Sequence, residues 1–521
     1  MHGEYGGVAL ANAVRDAYAR GQADYSMEPL VRVDEEGNAI GRVRDGDAVI
    51  FCCRRGEREI ELTDAFTAAE FPHFERERYS DLSFVILTMY HEKYKDLPIA
   101  FAPTRGKDTL AETVSKSGLR QLHCAESEKY AHVTFFLNGG NNVPFPGEDD
   151  VCIPSPKGIP FYQVPALRLP EVADTVIKGL EDGREWIVVN FANGDVIGHT
   201  SNEKAKIECA AHVDYHLGRV LEAAKRHGYV TAITADHGNL EEMCTPEGKP
   251  HVAHTSNLVS FFLIDPDSDA PIALSNGNLS DVAPTALQVL RIPQPAGMTG
   301  VSLAAGHDFG KDRKLLLIIL DGWGIGKQDN TNPIYLAETP VWDRLNADYT
   351  PSRLRASGEA VGLQEGKPGN SEAGHSNIGA GRIVQQDDIR LDQAMKDGSF
   401  LQNEVFLNAI DRVRKNGAAL HLLALLTKKS SHGSIDYPLA LLQMAKDLPK
   451  VYVHIIFDGR STEPGSAPKL LEELETQITK IGTGQIVDGV GRGLALDRDG
   501  NYAKIEKVYA ALVRGGGTQY I

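Results

Sequence analysis

Continuous apolar runs alternate along this chain with stretches in which apolar residues recur every three to four positions. The first kind of pattern reads as buried strand and the second as amphipathic helix. The first hundred residues predict a helix from Val8 to Arg20, a strand from Asp45 to Cys53, a helix from Glu59 to Ala69 and a strand from Ser83 to Met89. A helix from Lys107 to Ser117 and a strand from Ala131 to Leu137 come next. Residues 139–160 are rich in Gly, Pro and Asp and read as a surface excursion. Four strands then follow, Trp186 to Asn190, Tyr229 to Thr234, Asn257 to Ile264 and Lys314 to Leu320. Between them lie helices from Glu203 to Arg226 and from Ser280 to Leu290, and residues 305–313 read as a linker. Beyond Arg382 the strands are Ala419 to Leu426 and Val451 to Phe457, with helices from Asp436 to Lys446 and from Lys469 to Lys480. Continuous apolar strands separated by helices imply an α/β fold, with mostly parallel sheets covered by helices on both faces. No internal repeat or long low-complexity tract interrupts the pattern.

Composition narrows the class. A length of 521 residues accommodates two large domains. No apolar run approaches the roughly 20 residues of a membrane span, so no membrane association is expected. Met1-His2-Gly3-Glu4-Tyr5 has neither a basic nor an apolar leader region. Six cysteines are scattered without a C-x-x-C pair, which suits reduced thiols in the cytoplasm. A formal net charge of -17 argues against generic nucleic-acid binding.

The chemistry centres on Gly369-Asn370-Ser371-Glu372-Ala373-Gly374-His375, where small residues surround one hydroxyl. A serine becomes a nucleophile when a base or a metal removes its proton. Hard and borderline ligands stand in further stretches: Asp195 and His199 at i and i+4, the pair Asp236-His237, His251 and His254, and Asp321 before Gly322. These stretches, with Ser371, are expected just after strands, where open α/β sheets bind ligands. Carboxylates and imidazoles without cysteine suit Mn²⁺, Zn²⁺ or Mg²⁺. There are enough of them for two ions, which about 3.5–4 Å apart clamp an in-line displacement. A second group is cationic. Arg55 and Arg58 follow one strand, Arg460 ends another, Arg492 and Arg498 flank a Gly-rich stretch, and His432 follows a third strand. Planar guanidinium forks at strand ends suit a small anionic substrate.

On these motifs the chain resembles the cofactor-independent phosphoglycerate mutases, within the alkaline-phosphatase-like metalloenzymes. Ile318 to Gly324 is similar to that family's opening strand, and Gly369 to Arg382 to its phosphoserine motif. Asn193 to Thr200, Thr234 to Asn239 and Pro250 to Asn257 are similar to its metal motifs, and Glu128 to Thr134 to a further one. The segment order differs, because the family's opening strand lies here near residue 314. The resemblance therefore implies a circular permutant. A phosphatase-like domain would span 103–385, with an internal linker near 303–313. A smaller α/β transferase-like domain would be assembled from 386–521 and 1–102.

The resemblance also implies roles. One metal would be held by Asp195, His199 and His254, and the other by Asp321, Ser371, Asp236 and His237. These would be two divalent ions, Mn²⁺ with Zn²⁺, Co²⁺ or Mg²⁺ as alternatives, and no 2,3-bisphosphoglycerate would be needed. Ser371, Lys129 and His432 would be catalytic. Arg460, Ser461, Arg492, Arg498, Arg55 and Arg58 would bind the substrate. The implied protein is a monomeric cytoplasmic isomerase of glycolysis and gluconeogenesis, interconverting 3- and 2-phosphoglycerate through phosphoserine 371. Two departures stand out. Ser461 replaces the family's usual Asp, and Thr427-Lys428-Lys429-Ser430-Ser431-His432 replaces an acid- and glycine-containing loop. They leave open a related metal-dependent phosphatase or phosphomutase acting on another small phosphorylated acid or sugar. A non-catalytic metal-binding scaffold is the third reading.

Overall fold

A computed structural model describes residues 4–54, 58–102, 106–268, 270–428, 430 and 432–521. Arg55, Lys429 and Ser431 lie outside the described residues. In chain order the first strands are β1 (Leu30–Arg32), β2 (Ala48–Phe51), β3 (Ser83–Thr88) and β4 (Ile99–Phe101). Then come β5 (Gln121–Glu126), β6 (Glu148–Ile153), β7 (Trp186–Phe191), β8 (Tyr229–Thr234) and β9 (Val259–Ile264). They are followed by β10 (Gly277–Asn278), β11 (Lys314–Leu320) and β12 (Ser352–Arg355). The last four are β13 (Leu420–Leu426), β14 (Val451–Phe457), β15 (Gln485–Gly491) and β16 (Thr518–Tyr520).

The chain divides into two units, Thr104–Ile389 and Met1–Pro103 with Arg390–Ile521. The continuous unit carries an eight-stranded sheet in the order β10-β12-β9-β8-β11-β7-β5-β6. The run β6-β5-β7-β11-β8 is parallel, and β9 turns antiparallel to both β8 and β12. Central β11 reads Lys-Leu-Leu-Leu-Ile-Ile-Leu and is buried along almost its whole length. An unbroken apolar run of this kind is what a parallel strand covered on both faces requires. The helix Glu203–Arg226, capped by the Asn202 side chain accepting from Ala205 N, buries Ala210, Val213, Leu217 and Val220 in the same core.

The discontinuous unit has its own eight-stranded sheet, β16-β1-β15-β14-β13-β2-β3-β4, supplied by both ends of the chain. From β15 to β4 the strands are parallel, and β1 pairs antiparallel with β15. Alternate residues enter two separate cores. Leu422, Ala424 and Leu426 face one, and Leu423 and Leu425 the other. A line of buried polar groups crosses this sheet. His421 Nε2 donates to Asp47 at 3.1 Å, His421 Nδ1 meets His454 Nε2 at 2.9 Å, and His454 Nδ1 donates to Asp488 at 2.6 Å.

Several expectations need correction. Ala131 to Leu137 is not a strand: His132–Phe136 forms a π-helical turn. Residues 139–160 are more than a surface excursion, because they include β6. Strands β5 and β15 and the helices Leu169–Glu181, Glu404–Asn416 and Tyr502–Arg514 were not anticipated. The 305–313 segment has no helix or strand, yet Phe309 is buried in the core and Arg313 pairs with Asp265 and Asp267.

Candidate metal centre

Three parallel strands of the continuous unit deliver carboxylates from their carboxyl ends. Asp195 follows β7 on the short helix Asn193–Gly198, Asp236 follows β8, and Asp321 follows β11. Strands β8, β11 and β7 are immediate neighbours, so the three acids converge. The other two stretches are placed differently from the expectation. His254 precedes β9, and Ser371 is the first residue of the helix Ser371–Ala380. Asn370 caps that helix by accepting from Ala373 N. Ser371 thereby sits at the positive end of a helix dipole, where a developing negative charge is favoured. Close approach is built into the backbone. A Cβ on Gly374 would lie 2.6 Å from Asp236 O, and Gly322, at φ +70°, leaves no room for one beside Asp195.

Lys129, buried at 5% exposure, lies at the middle of the cluster. Its Nζ donates to Asp195 Oδ2 at 2.6 Å, Asp321 Oδ1 at 2.8 Å and Ser371 Oγ at 2.6 Å. His237 Nε2 is 3.0 Å from the same Oγ. Burial opposes the charge on Lys129, but Asp321, Asp195 and Asp236 outweigh it and hold the ammonium above its usual range. Burial and the neighbouring Asp236 push the Asp321 carboxyl up. Asp236 is held low by His237, His375 and Lys129 against the opposing effect of burial. Three buried carboxylates and one ammonium leave an uncompensated charge of about −2, which is costly to bury unless cations balance it.

The histidines point the same way. His199 Nδ1 donates to Val252 O and His254 Nδ1 to Gly369 O, both at 2.8 Å. Each Nδ1 faces a carbonyl, so the Nε2 lone pairs face inward. They are 3.1 Å apart, and lie 3.2 and 3.0 Å from Asp195 Oδ1. Two lone pairs and a carboxylate oxygen converging on one point repel each other unless a cation lies between them. Asp236 Oδ2 is fully buried and accepts no hydrogen bond among the described residues, the His375 Nδ1 3.3 Å away being engaged with Ser371 O. The donor set therefore fits metal ions. Asp195, His199 and His254 form one acid–imidazole group, and Asp195, His237 and Asp321 and Asp236, Asp321 and His375 form others.

All seven expected ligands and Lys129 lie in this unit and come together, whereas His251 is engaged through its backbone, its N–H donating to Met243 O and its carbonyl accepting from Lys206 Nζ. The remaining expected residues, Arg55 outside the described residues aside, belong to the discontinuous unit, where they come after β2, β13, β14 and β15. Arg492 is buried and donates to Asp458 Oδ1 at 2.6 Å, and Arg58 donates to Leu496 O at 3.1 Å. Arg460, Ser461 and Arg498 are exposed, and His432 is half-buried.

Sequence reasoning left out four supporting residues. His375 donates from Nδ1 to Ser371 O, and its Nε2 accepts from Asn190, which also donates to Asp321 Oδ2. Asn239 donates to Asp195 Oδ1 at 2.9 Å, and Glu241 accepts from Asn239 N at 2.8 Å. The spacing of His375, one turn after Ser371, and of Glu241, five residues after Asp236, was the available signal.

Comparison with known proteins agrees with this geometry. The model of the metalloenzyme superfamily matches residues 27–294. That of the BPG-independent PGAM N-terminus matches residues 391–520. The chain is 46% identical over 294 residues to the 2,3-bisphosphoglycerate-independent phosphoglycerate mutase of Moorella thermoacetica, covering 56% of each chain. It is also 46% identical over 296 residues to that of Syntrophotalea carbinolica, covering 56% of this chain and 57% of the relative. The chain thus spans just over half the length of the curated relatives it matches. A crystal structure of Leishmania mexicana phosphoglycerate mutase at low cobalt concentration aligns over 52% of this chain and 53% of its own, at 28% identity and a TM-score of 0.42. With its carboxylates and imidazoles gathered around one serine, and a family model matching more than half its length, the chain belongs to the metalloenzyme superfamily.

Proposed function

We propose that the chain is a cofactor-independent phosphoglycerate mutase that interconverts 3- and 2-phosphoglycerate through phosphoserine 371. The observation that carries this reading is Ser371 Oγ, held between Lys129 Nζ and His237 Nε2 among three buried carboxylates. The names of the relatives at 46% identity support the substrate. Asp195, His199 and His254 would hold one divalent ion and Asp236, His237, Asp321 and Ser371 a second, Mn²⁺ by preference. Bound there, such ions supply a Lewis acid that favours the serine alkoxide and balances phosphoryl charge.

Ser371 Oγ gives up its proton and attacks phosphorus, and the bond from phosphorus to the substrate's C3 oxygen breaks as that oxygen gains a proton. The 2-hydroxyl then gives up its proton and attacks the phosphorus of phosphoserine 371, and the serine oxygen leaves and regains a proton. Lys129 Nζ stays within hydrogen-bond reach of the serine oxygen that attacks phosphorus and is later released, and the helix N-terminus favours its charge. His432, Arg58, Arg460, Ser461, Arg492 and Arg498 are assigned to the substrate's anionic groups, and Arg55 shares that assignment. Quenching turnover on 3-phosphoglycerate and mapping phosphate by mass spectrometry should find it on Ser371, and nowhere in Ser371→Ala. Turnover with phosphate on another residue would contradict the assignment.

The chain is further proposed to be a circular permutant, monomeric and cytoplasmic. Two findings support the permutation: a model described as an N-terminus matches residues 391–520, and both chain ends build one sheet. The related-phosphatase reading rests on the departures at Ser461 and in the 427–432 loop alone; the exposed pair of Lys428 with Glu473 does not bear on it. Free phosphate without 2-phosphoglycerate would establish it.

A further inference from the structure

We propose that Glu241 is a positioning residue for the two-ion centre, tying together three loops that carry its ligands. The proposal rests on the metal reading above. Glu241 is 1% exposed, and among the described residues it belongs to none of the acid–imidazole groups that could hold an ion. Its carboxylate instead accepts four hydrogen bonds. Oε2 accepts from Asn239 N at 2.8 Å and Gly324 N at 3.0 Å. Oε1 accepts from Asn257 Nδ2 at 2.9 Å and from the Thr255 hydroxyl.

Each donor stands within three residues of a candidate ligand, Asn257 and Thr255 both on the His254 side. Asn239 follows Asp236-His237, Gly324 follows Asp321, and Thr255 adjoins His254. Asn239 extends the link to Asp195 through its side chain. The loops are shaped around the carboxylate, because a Cβ on Gly238 or Gly324 would fall 2.2 or 2.3 Å from Glu241 Oε1. A residue that only filled space would need no four-point acceptor. A carboxylate can accept from all four donors at once, whereas an amide offers one accepting oxygen and one donating nitrogen.

That difference gives a directional test with Glu241→Gln. The backbone N–H groups of Asn239 and Gly324 cannot be turned, so the glutamine oxygen is required there. The amide nitrogen then faces Thr255 and Asn257, where the Asn257 amide opposes it. The loops of Asp236 and Asp321 stay anchored, and the His254 loop loosens. Mn²⁺ titration of the metal-stripped protein, read by electron paramagnetic resonance of free Mn²⁺, is expected to show two sites in the wild type. In Glu241→Gln one site should weaken by about tenfold or more, the usual cost of losing an outer hydrogen-bond partner, while the other keeps its affinity. Asn257→Ala leaves Glu241 in place and should weaken the same site, which covers the case in which Glu241→Gln does not fold. Wild-type affinities at both sites in both variants, or an equal loss at both sites tracking a fall in metal-free Tm, would overturn the positioning role. A wild type that binds no Mn²⁺ would overturn the metal reading itself, and this inference with it.

Discussion

Ser371 shows how much of the site hangs on single side chains. Its hydroxyl accepts from Lys129, lies beside His237 and starts a helix, so any charge on the oxygen is met from three directions. Lys129→Met keeps the bulk of the side chain and removes the ammonium. It should lower kcat by roughly 100-fold while Mn²⁺ still binds, and steady-state kinetics beside metal titration check both halves. Loss of metal along with activity would make Lys129 a structural residue. Asp195, Asp236, His237 and Asp321 were legible in the sequence because each follows an apolar run that ends in a strand. The roles of His375 and Glu241 were not, because each also bonds a partner distant in the chain. Asn190 lies 185 residues from His375, and Gly324 lies 83 from Glu241.

At the scale of elements, legibility followed apolar continuity. Strands β8, β11 and β14 match their predicted bounds because β-branched and apolar residues dominate each run, even though His454 interrupts β14. Gln121-Leu-His-Cys-Ala-Glu of β5 carries buried polar residues, and Gln-Ile-Val-Asp-Gly-Val-Gly of β15 carries an acid and glycines, so neither stood out. The residues of 131–137 have high β propensity, yet the segment coils into a π-helical turn whose Val133 carbonyl meets His123 Nδ1 at 2.7 Å. Leu317 at the centre of β11 is fully buried, between β7 and β8. Leu317→Ala should cost about 2–5 kcal/mol by denaturant unfolding, and a cost under 1 kcal/mol would contradict the packing described.

Two fully buried histidines make acid the weak side of both units. Burial pushes His123 in the continuous unit and His421 in the discontinuous one down to about 4. The unfolded chain binds protons at these positions below the ordinary histidine value of about 6.5, and the native chain does not. Stability is therefore full above about 6.5, falls as the pH drops toward 4, and levels off below. Melting followed from pH 7.5 down to 4.5 should show Tm falling throughout, with a shallower fall in His421→Asn. A Tm independent of pH over that range would contradict it.

At the scale of the whole molecule, the chain builds one unit from a continuous stretch and the other from its two ends. The α/β class with mostly parallel sheets was legible from strand–helix alternation alone. The pairing of β1 with β15 and β16 was not, since two of these strands have only three residues and lie almost 500 positions apart. If the order of segments is a permutation, a chain rearranged to begin at Lys314 and to join Ile521 to Met1 should fold with the same metal stoichiometry and activity. Removal of metal by a chelator should abolish turnover, and added Mn²⁺ should restore it. The most direct measurement of the central claim is the product balance of the Mn²⁺-loaded protein on 3-phosphoglycerate, following 2-phosphoglycerate and free phosphate together in wild type and Ser371→Ala. The account predicts 2-phosphoglycerate with little free phosphate in the wild type, and neither product in the variant. Free phosphate alone, or isomerisation that survives in Ser371→Ala, would contradict it.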